Sequence, residues 1–273
     1  MYRPPAVYAS QTRADLADVP RAVSGGPKVS LLDELLGTLS DAPLEAVWVG
    51  AHWTAVAVAR RGRLRCGLAS TLREEGPHGE SPVRWAGHLL EHSALELAGL
   101  IRSEQPLEAS IGLAAVNALL EVDESRCREE NAVSLLEREG RGKRVALVGH
   151  FPFIPRLRPV VGELWVLEEH PQGDEFPAER APELLPQADV VAITGATLAN
   201  HTLEGLLALC RPGAFVLILG PSTPLSAVLF RHGAMALAGT LVVDPPAVLR
   251  CVSQGATFRQ IEGVRTVVMF PEE

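Results

Sequence analysis

The sequence predicts an α/β protein: a Rossmann-like, doubly wound parallel sheet in the C-terminal half, preceded by a smaller α+β domain. Three observations carry this. From about Lys143 short apolar runs alternate strictly with helix-forming segments. Those runs are continuous, as expected where both faces of a parallel sheet are covered. Before that point strands come first and helices afterwards, which describes an α+β unit.

Taken in order, residues 1–27 are rich in Pro, Ser, Gly and Arg and form an N-terminal extension without the apolar core of a signal peptide. The first domain is placed at 28–125. An amphipathic helix begins near Lys28, with Ser30 able to cap it and Leu31, Leu32, Leu35, Leu36 and Leu39 on its apolar side. Leu44–Gly50, Trp53–Arg60 and Leu64–Ser70 read as strands, with Arg61-Gly62-Arg63 as a hairpin turn. A polar loop at 73–82 leads to helical material at Arg84–Ser103 and Ser110–Leu120. On the first of these, His88 and His92 stand four residues apart and could share one helix face, a spacing more common on solvated surfaces than in metal sites.

The charged stretch 121–142, with a helix at Asn131–Glu139, marks the boundary, and the Rossmann-like domain is placed at 126–273. Its strands are expected at Arg144–Gly149, Glu163–Leu167, Asp189–Thr194, Ala214–Gly220 and Gly239–Val243. Helices are expected near 154–161, 180–186, 202–210, 224–231 and 246–253. Consecutive βαβ units imply right-handed crossovers.

At 273 residues and 47% hydrophobic, the chain has material for two cores. A net charge of -8, and no evident basic run, argue against nucleic-acid or anionic-membrane partners. The four cysteines form no Cys-x-x-Cys pair, so neither a zinc framework nor a disulfide scaffold is indicated. No stretch is long enough to span a bilayer. A soluble, cytoplasmic protein is the expectation.

In a doubly wound sheet ligands bind beyond the carboxyl ends of the strands. Three strand-end loops have polar content. In Gly149-His150-Phe151-Pro152 only the first glycine of a dinucleotide fingerprint is present, which disfavours NAD(P), while His150 offers a polar contact. Glu168, with Glu169, ends the second strand about 20 residues on, where an acid often meets a ribose. The second loop, 194–202, places Thr194, Thr197, Asn200 and Thr202 before a helix, more than capping requires. The third, Gly220-Pro221-Ser222-Thr223-Pro224, fixes two hydroxyls between two prolines. There is no nucleophile elbow, phosphate-binding loop or His-Glu-x-x-His, and no catalytic residue is assigned.

VALVGHFPFIPRL (145–157), DVVAITGATLANHTLEGLL (189–207), LGPSTPLSAVLFRHG (219–233) and AGTLVVDPPAVLRCVSQG (238–255) together resemble the putative heavy-metal-chelation family. GLAST (67–71) and EASIGLAAVNALL (108–120) are similar to its accompanying domain. The resemblance implies an enolase-N-terminal-like domain packed on a Rossmann-like domain, with the site between them. Carried over, the candidate ligand-binding residues are Gly149, Phe151, Pro152, Thr194, Gly195, Thr197, Leu198, Asn200, Gly220, Pro221, Ser222, Thr223, Pro224 and Asn117. His201 departs from the family pattern and could add a ligand or only alter the rim.

The leading expectation is binding of a metal ion, an anionic metal chelate or a small metabolite in the interdomain cleft. Thr, Ser and Asn are hard, weak donors, so an anionic metal complex fits them better than a bare soft metal. The alternative is an enzyme acting on a small anionic metabolite with a nucleoside-containing cofactor, Glu168 meeting the ribose and His150 or His201 serving as acid or base. A metal ion or metal complex is the cofactor these readings admit. A small-molecule or metal ligand is the expected partner, with a homodimer left open. On these readings Thr197→Ala and Ser222→Ala should weaken ligand binding and leave Tm nearly unchanged.

Overall fold

In the computed structural model, residues 29–73 and 83–272 are described. The N-terminal extension and nearly all of the polar loop at 73–82 lie outside them. The N-terminal domain begins with α1 (Leu31–Gly37), whose first turn is closed by the Ser30 side chain accepting from the Asp33 N–H. An antiparallel sheet follows in the order β1 (Leu44–Val49), β2 (Trp53–Arg60), β3 (Arg63–Ser70). The β2–β3 turn is the two residues Arg61-Gly62, both at positive φ (51° and 72°), which is the type I′ pattern that matches strand twist.

Alternate residues of β2 face two different cores. Val56 and Val58 pack toward α3 (Pro106–Leu119), while Ala55 and Ala57 join Cys66 and Leu68 against the C-terminal domain. This explains why β2 reads as an unbroken apolar run although its neighbours are antiparallel. Close approach of α3 to β3 depends on Gly67, where an added Cβ would lie 2.2 Å from the Ala114 carbonyl.

The segment 84–103 departs from the single helix expected there. Residues 84–88 form turns, Leu89–Glu91 and Leu100–Arg102 are 3-10 turns, and only α2 (Ala94–Gly99) is α-helical. Ser93 and Glu96 make a complete capping box, so the helix starts after both histidines. His88 and His92 therefore share no helix face: His88 meets Glu91, and His92 stacks on Trp85 with ring centroids 3.8 Å apart.

The C-terminal domain opens with β4 (Cys127–Arg128) and α4 (Ala132–Gly140), capped by Asn131. Then come β5 (Arg144–Val148), α5 (Ile154–Leu157), β6 (Glu163–Glu168), β7 (Phe176–Pro177), α6 (Ala181–Leu184) and β8 (Val190–Thr194). α7 (Leu203–Leu209), β9 (Phe215–Leu219), α8 (Ala227–Arg231), β10 (Ala236–Val242), α9 (Pro245–Ser253) and β11 (Val264–Met269) complete it. The sheet order is β4-β11-β10-β9-β8-β5-β6-β7. From β7 to β10 neighbouring strands are parallel, and β11 and β4 add antiparallel pairs at one edge. The parallel part has the Rossmann order 3-2-1-4-5-6, and the strand order reverses between β5 and β8.

The antiparallel edge was not anticipated. β4 is two residues long, too short for any periodicity to show, and Arg265 and Thr266 interrupt the apolar pattern of β11. One face of the sheet packs on α4 and α5 through Leu135, Leu136, Ile154 and Leu157. The other packs on α6, α7 and α8 and merges with the core of the first domain. A third cluster joins Ala55, Ala57 and Leu68 to Val248 and Val252 of α9. The two domains thus share hydrophobic cores, the kind of interface that holds their relative position.

Candidate functional site: a satisfied crevice and an arginine-lined cleft

The predicted residues fall into two places. The first is the crevice at the β5/β8 switch point. Gly149 follows β5 at φ 112°, and an added Cβ would lie 3.2 Å from the Thr194 side chain at the end of β8. Gly220, also at φ 112°, ends β9 on the other side of Thr194. Gly149 is required by both backbone conformation and close approach, and Gly220 by its backbone conformation.

The polar groups of the crevice bind one another. Glu168 accepts from the backbone N–H groups of His150 and Glu169. His150 donates through Nδ1 to Glu175 at 2.5 Å, and the N–H of Gln172 together with His150 holds the Glu175 carboxyl below its ordinary range. Asn200 donates to Glu169 at 3.1 Å and accepts from the Thr202 hydroxyl at 2.7 Å. The Thr197 hydroxyl donates to the Thr194 carbonyl at 2.6 Å, and Leu198 is buried. Phe151 stacks on Phe153, and Pro152 sits exposed beside them.

Several predicted residues instead join the domains. His201 adopts φ 62° and its Nε2 donates to the Ile101 carbonyl at 2.7 Å, so its ring reaches across to the first domain. The Ser222 hydroxyl lies 2.8 Å from the Ser70 N–H, which donates to it, and 3.0 Å from the Ser70 hydroxyl. Asn117 on α3 donates to both the Leu68 and Ser222 carbonyls, at 2.8 and 3.1 Å. Pro224 is buried and Pro221 half-buried in the same loop. Gly195 lies against Thr223, where an added Cβ would be 2.6 Å from Oγ1.

The second place is a cleft of about 630 Å3 between the domains. From the first domain it takes the β2–β3 hairpin and the segment after α3; from the second it takes Thr223, Leu225, β10 with Val243, and Arg265 of β11. Only Asn117 and Thr223 of the predicted residues reach it. Its charge comes from Arg60, Arg61, Arg63, Arg65 and Arg265, opposed in the lining by Glu121 and Glu124. A basic patch therefore exists in this acidic chain, contrary to the reading that no basic run was present. Its signal in the sequence is RRGRLR (60–65), where a hairpin turn at 61–63 brings two strand ends together.

Among the described residues, four buried side-chain atoms lack a hydrogen-bond partner, and three of them belong to this lining: Thr223 Oγ1, Thr240 Oγ1 and Arg265 Nε. Such atoms are costly, each about 1–3 kcal/mol, and so mark a wall with unused hydrogen-bonding capacity. Cys66 also lines the cleft, and burial pushes its thiol up to about 12. Among the described residues no group of three or more His, Cys, Asp or Glu is arranged to hold a metal ion. The donor set of the cleft does not fit a bare metal cation. It fits an anion.

Comparison with known proteins decides the family. A model described as putative heavy-metal chelation (DUF364) matches residues 131–270, and a second with the same description (DUF4213) matches residues 32–120. The chain belongs to the putative heavy-metal-chelation family. A crystal structure of a family member of unknown function from Desulfitobacterium hafniense is similar over 88% of this chain and 97% of its own, with TM-score 0.76 and 26% identity. One from Pyrococcus horikoshii, also of unknown function, gives TM-score 0.76 at 22% identity over 88% and 98% of the two chains. An uncharacterised protein of Methanocaldococcus jannaschii is 27% identical over 206 residues, 69% of this chain and 74% of that one. The fold expected from the sequence, a Rossmann-like parallel sheet with a smaller α+β domain, is that of the family structures, realised as a mostly parallel sheet beside a small separate antiparallel one. No helix among the described residues is long and apolar enough to cross a membrane.

Proposed function

We propose that the protein binds a small anionic ligand in the interdomain cleft, and that any metal it carries is held there as an anionic chelate. The observation that supports this is the arginine lining, in a chain whose net charge is -8. A cation entering alone would meet guanidinium groups and a protonated thiol. A carboxylate or phosphate would meet charge-assisted donors, the strongest hydrogen bonds a protein offers to such groups. The family description then refers to the metal at the centre of the ligand, with the protein recognising the ligand's outer oxygens.

A second reading, an enzyme using a nucleoside-containing cofactor, draws on one observation. In the 3-2-1-4-5-6 order Glu168 ends the second strand, where a carboxylate can meet a ribose. Native mass spectrometry of the full chain, purified without added metal, separates the two. A co-purified organic acid or its metal complex supports the cleft reading; a bare ion held by the chain alone would overturn it. A nucleoside would favour the enzyme.

A further inference from the structure

Resting on the reading that the cleft is the binding site, we propose that its ligand carries at least two separated anionic groups, carboxylate or phosphate, and that Arg63 is the arginine that binds it. The arginines divide by what they already hold. Arg60 donates to the Leu119 carbonyl at 2.9 Å and pairs with Glu121 at 2.9 Å, and Arg65 donates to the Leu120 carbonyl at 3.2 Å. Both cover the open C-terminal end of α3, whose last carbonyls have no helical partner. Arg61 shares Glu121, at 3.1 Å. Arg265 reaches Glu124 at 2.5 Å and Glu129 at 3.2 Å. Among the described residues Arg63 makes no side-chain hydrogen bond or ion pair, and it is exposed at the mouth of the cleft.

The strand register sharpens the point. Arg60 stands directly opposite Arg63, and Arg65 is two residues along the same strand, so all three leave the hairpin on one face. Like charges directly opposite destabilise a strand pair, and Glu121 alone does not balance this set. The lining holds five arginines and two glutamates, an excess of three positive charges, or two once Glu129 is counted. One monoanion cannot neutralise that excess. Across the cleft the opposing wall carries Arg265 and the partnerless Thr240 hydroxyl, so a ligand with charge at both ends is met from both walls. Polycarboxylate metal chelates and phosphorylated metabolites share this chemistry.

The test is calorimetric titration of the full chain at low ionic strength with acetate, citrate, ferric citrate and pyrophosphate. Citrate, ferric citrate or pyrophosphate should bind about tenfold or more tighter than acetate. Arg63→Gln should weaken that binding about tenfold without lowering Tm, because it also removes a like-charge pair. Thr240→Val should raise Tm, by deleting a buried hydroxyl without a partner, and still weaken binding. Ferric citrate exceeding citrate identifies a metal chelate; pyrophosphate exceeding both identifies a phosphorylated compound. If acetate binds as tightly as the others and Arg63→Gln changes nothing, this inference falls while anion binding stands. If no anion binds, or binding survives Arg63→Gln and Thr240→Val but is lost in Glu168→Gln, the cleft reading falls with it.

Discussion

The switch-point crevice and the interdomain cleft are both polar, but their polar groups are in opposite states. In the crevice His150, Glu168, Glu175 and Asn200 each have a partner within the protein. In the cleft Arg63, the Thr223 and Thr240 hydroxyls and the Arg265 Nε do not. Strand-end position and polar composition attract attention to the first; residual hydrogen-bonding capacity and unbalanced charge belong to the second. A binding site needs groups that a ligand can complete, and a loop already complete has little to offer without rearranging. The difference teaches that polar residues should be judged by what they are bonded to, and Thr197, Asn200 and Ser222 each have a partner within the fold.

The largest expected effect tests the rigid link between the two regions. Gly195 follows β8 at the crevice, yet its Cα faces Thr223, whose backbone N and Cα would be 2.7 Å from an added Cβ. Gly195→Ala should displace the 220–224 loop, costing about 2–3 kcal/mol. Thermal melting should show Tm lowered by about 5–10 °C. An unchanged Tm would mean that the loop yields freely and that the cleft wall is not held from the crevice side.

Ser222→Ala comes next. The residues alone suggested weaker ligand binding with Tm nearly unchanged. With the Ser70 N–H left without its acceptor at a buried interdomain contact, a loss of about 1–2 kcal/mol is expected instead. Urea unfolding measures it, and a stability equal to the parent's would return Ser222 to the list of ligand contacts.

How far the sequence reaches is shown by these same residues. The Rossmann-like half was legible because strands buried on both faces read as continuous apolar runs, and the helix expected at Asn131–Glu139 forms with Asn131 as its cap. β7 and β4, two residues each, carry no period, and the helix expected from Arg84 lost its first turns to a capping box at Ser93 and Glu96. Hydrogen-bond state was not legible at all, since it depends on partners far away in the chain: Ser222 meets Ser70, and His201 meets Ile101. RRGRLR was read as a turn between strand ends and not as a charge cluster. Only the fold shows that Arg60, Arg63 and Arg65 share a face lining a cleft.

Glu168→Gln sets the comparison directly. If the crevice is complete in itself, this variant should leave anion binding in the cleft within about twofold of the parent, as expected for separated sites. Titration with citrate measures it, and a loss as large as that from Arg63→Gln would move the site to the switch point.

The smallest effect concerns the contact that fastens α1 to α8. Glu34 lies 2.7 Å from His232 Nε2 and 2.6 Å from Arg231 Nε, and those hydrogen bonds, His232 first, hold its carboxyl below the ordinary 4.5. A carboxyl depressed in the folded state contributes stability that is fully present above its unfolded value and is lost as pH falls through the folded one. The Tm gap between the parent and Glu34→Gln should therefore be full at about pH 5–6 and should close as pH drops below about 4.5. Because the pair is partly exposed, the gap should also narrow in high salt. A gap that persists at acid pH would show that Glu34 holds the domains by packing and not by charge. Cleft binding should then weaken no further on acidification than loss of the ligand's own charge requires.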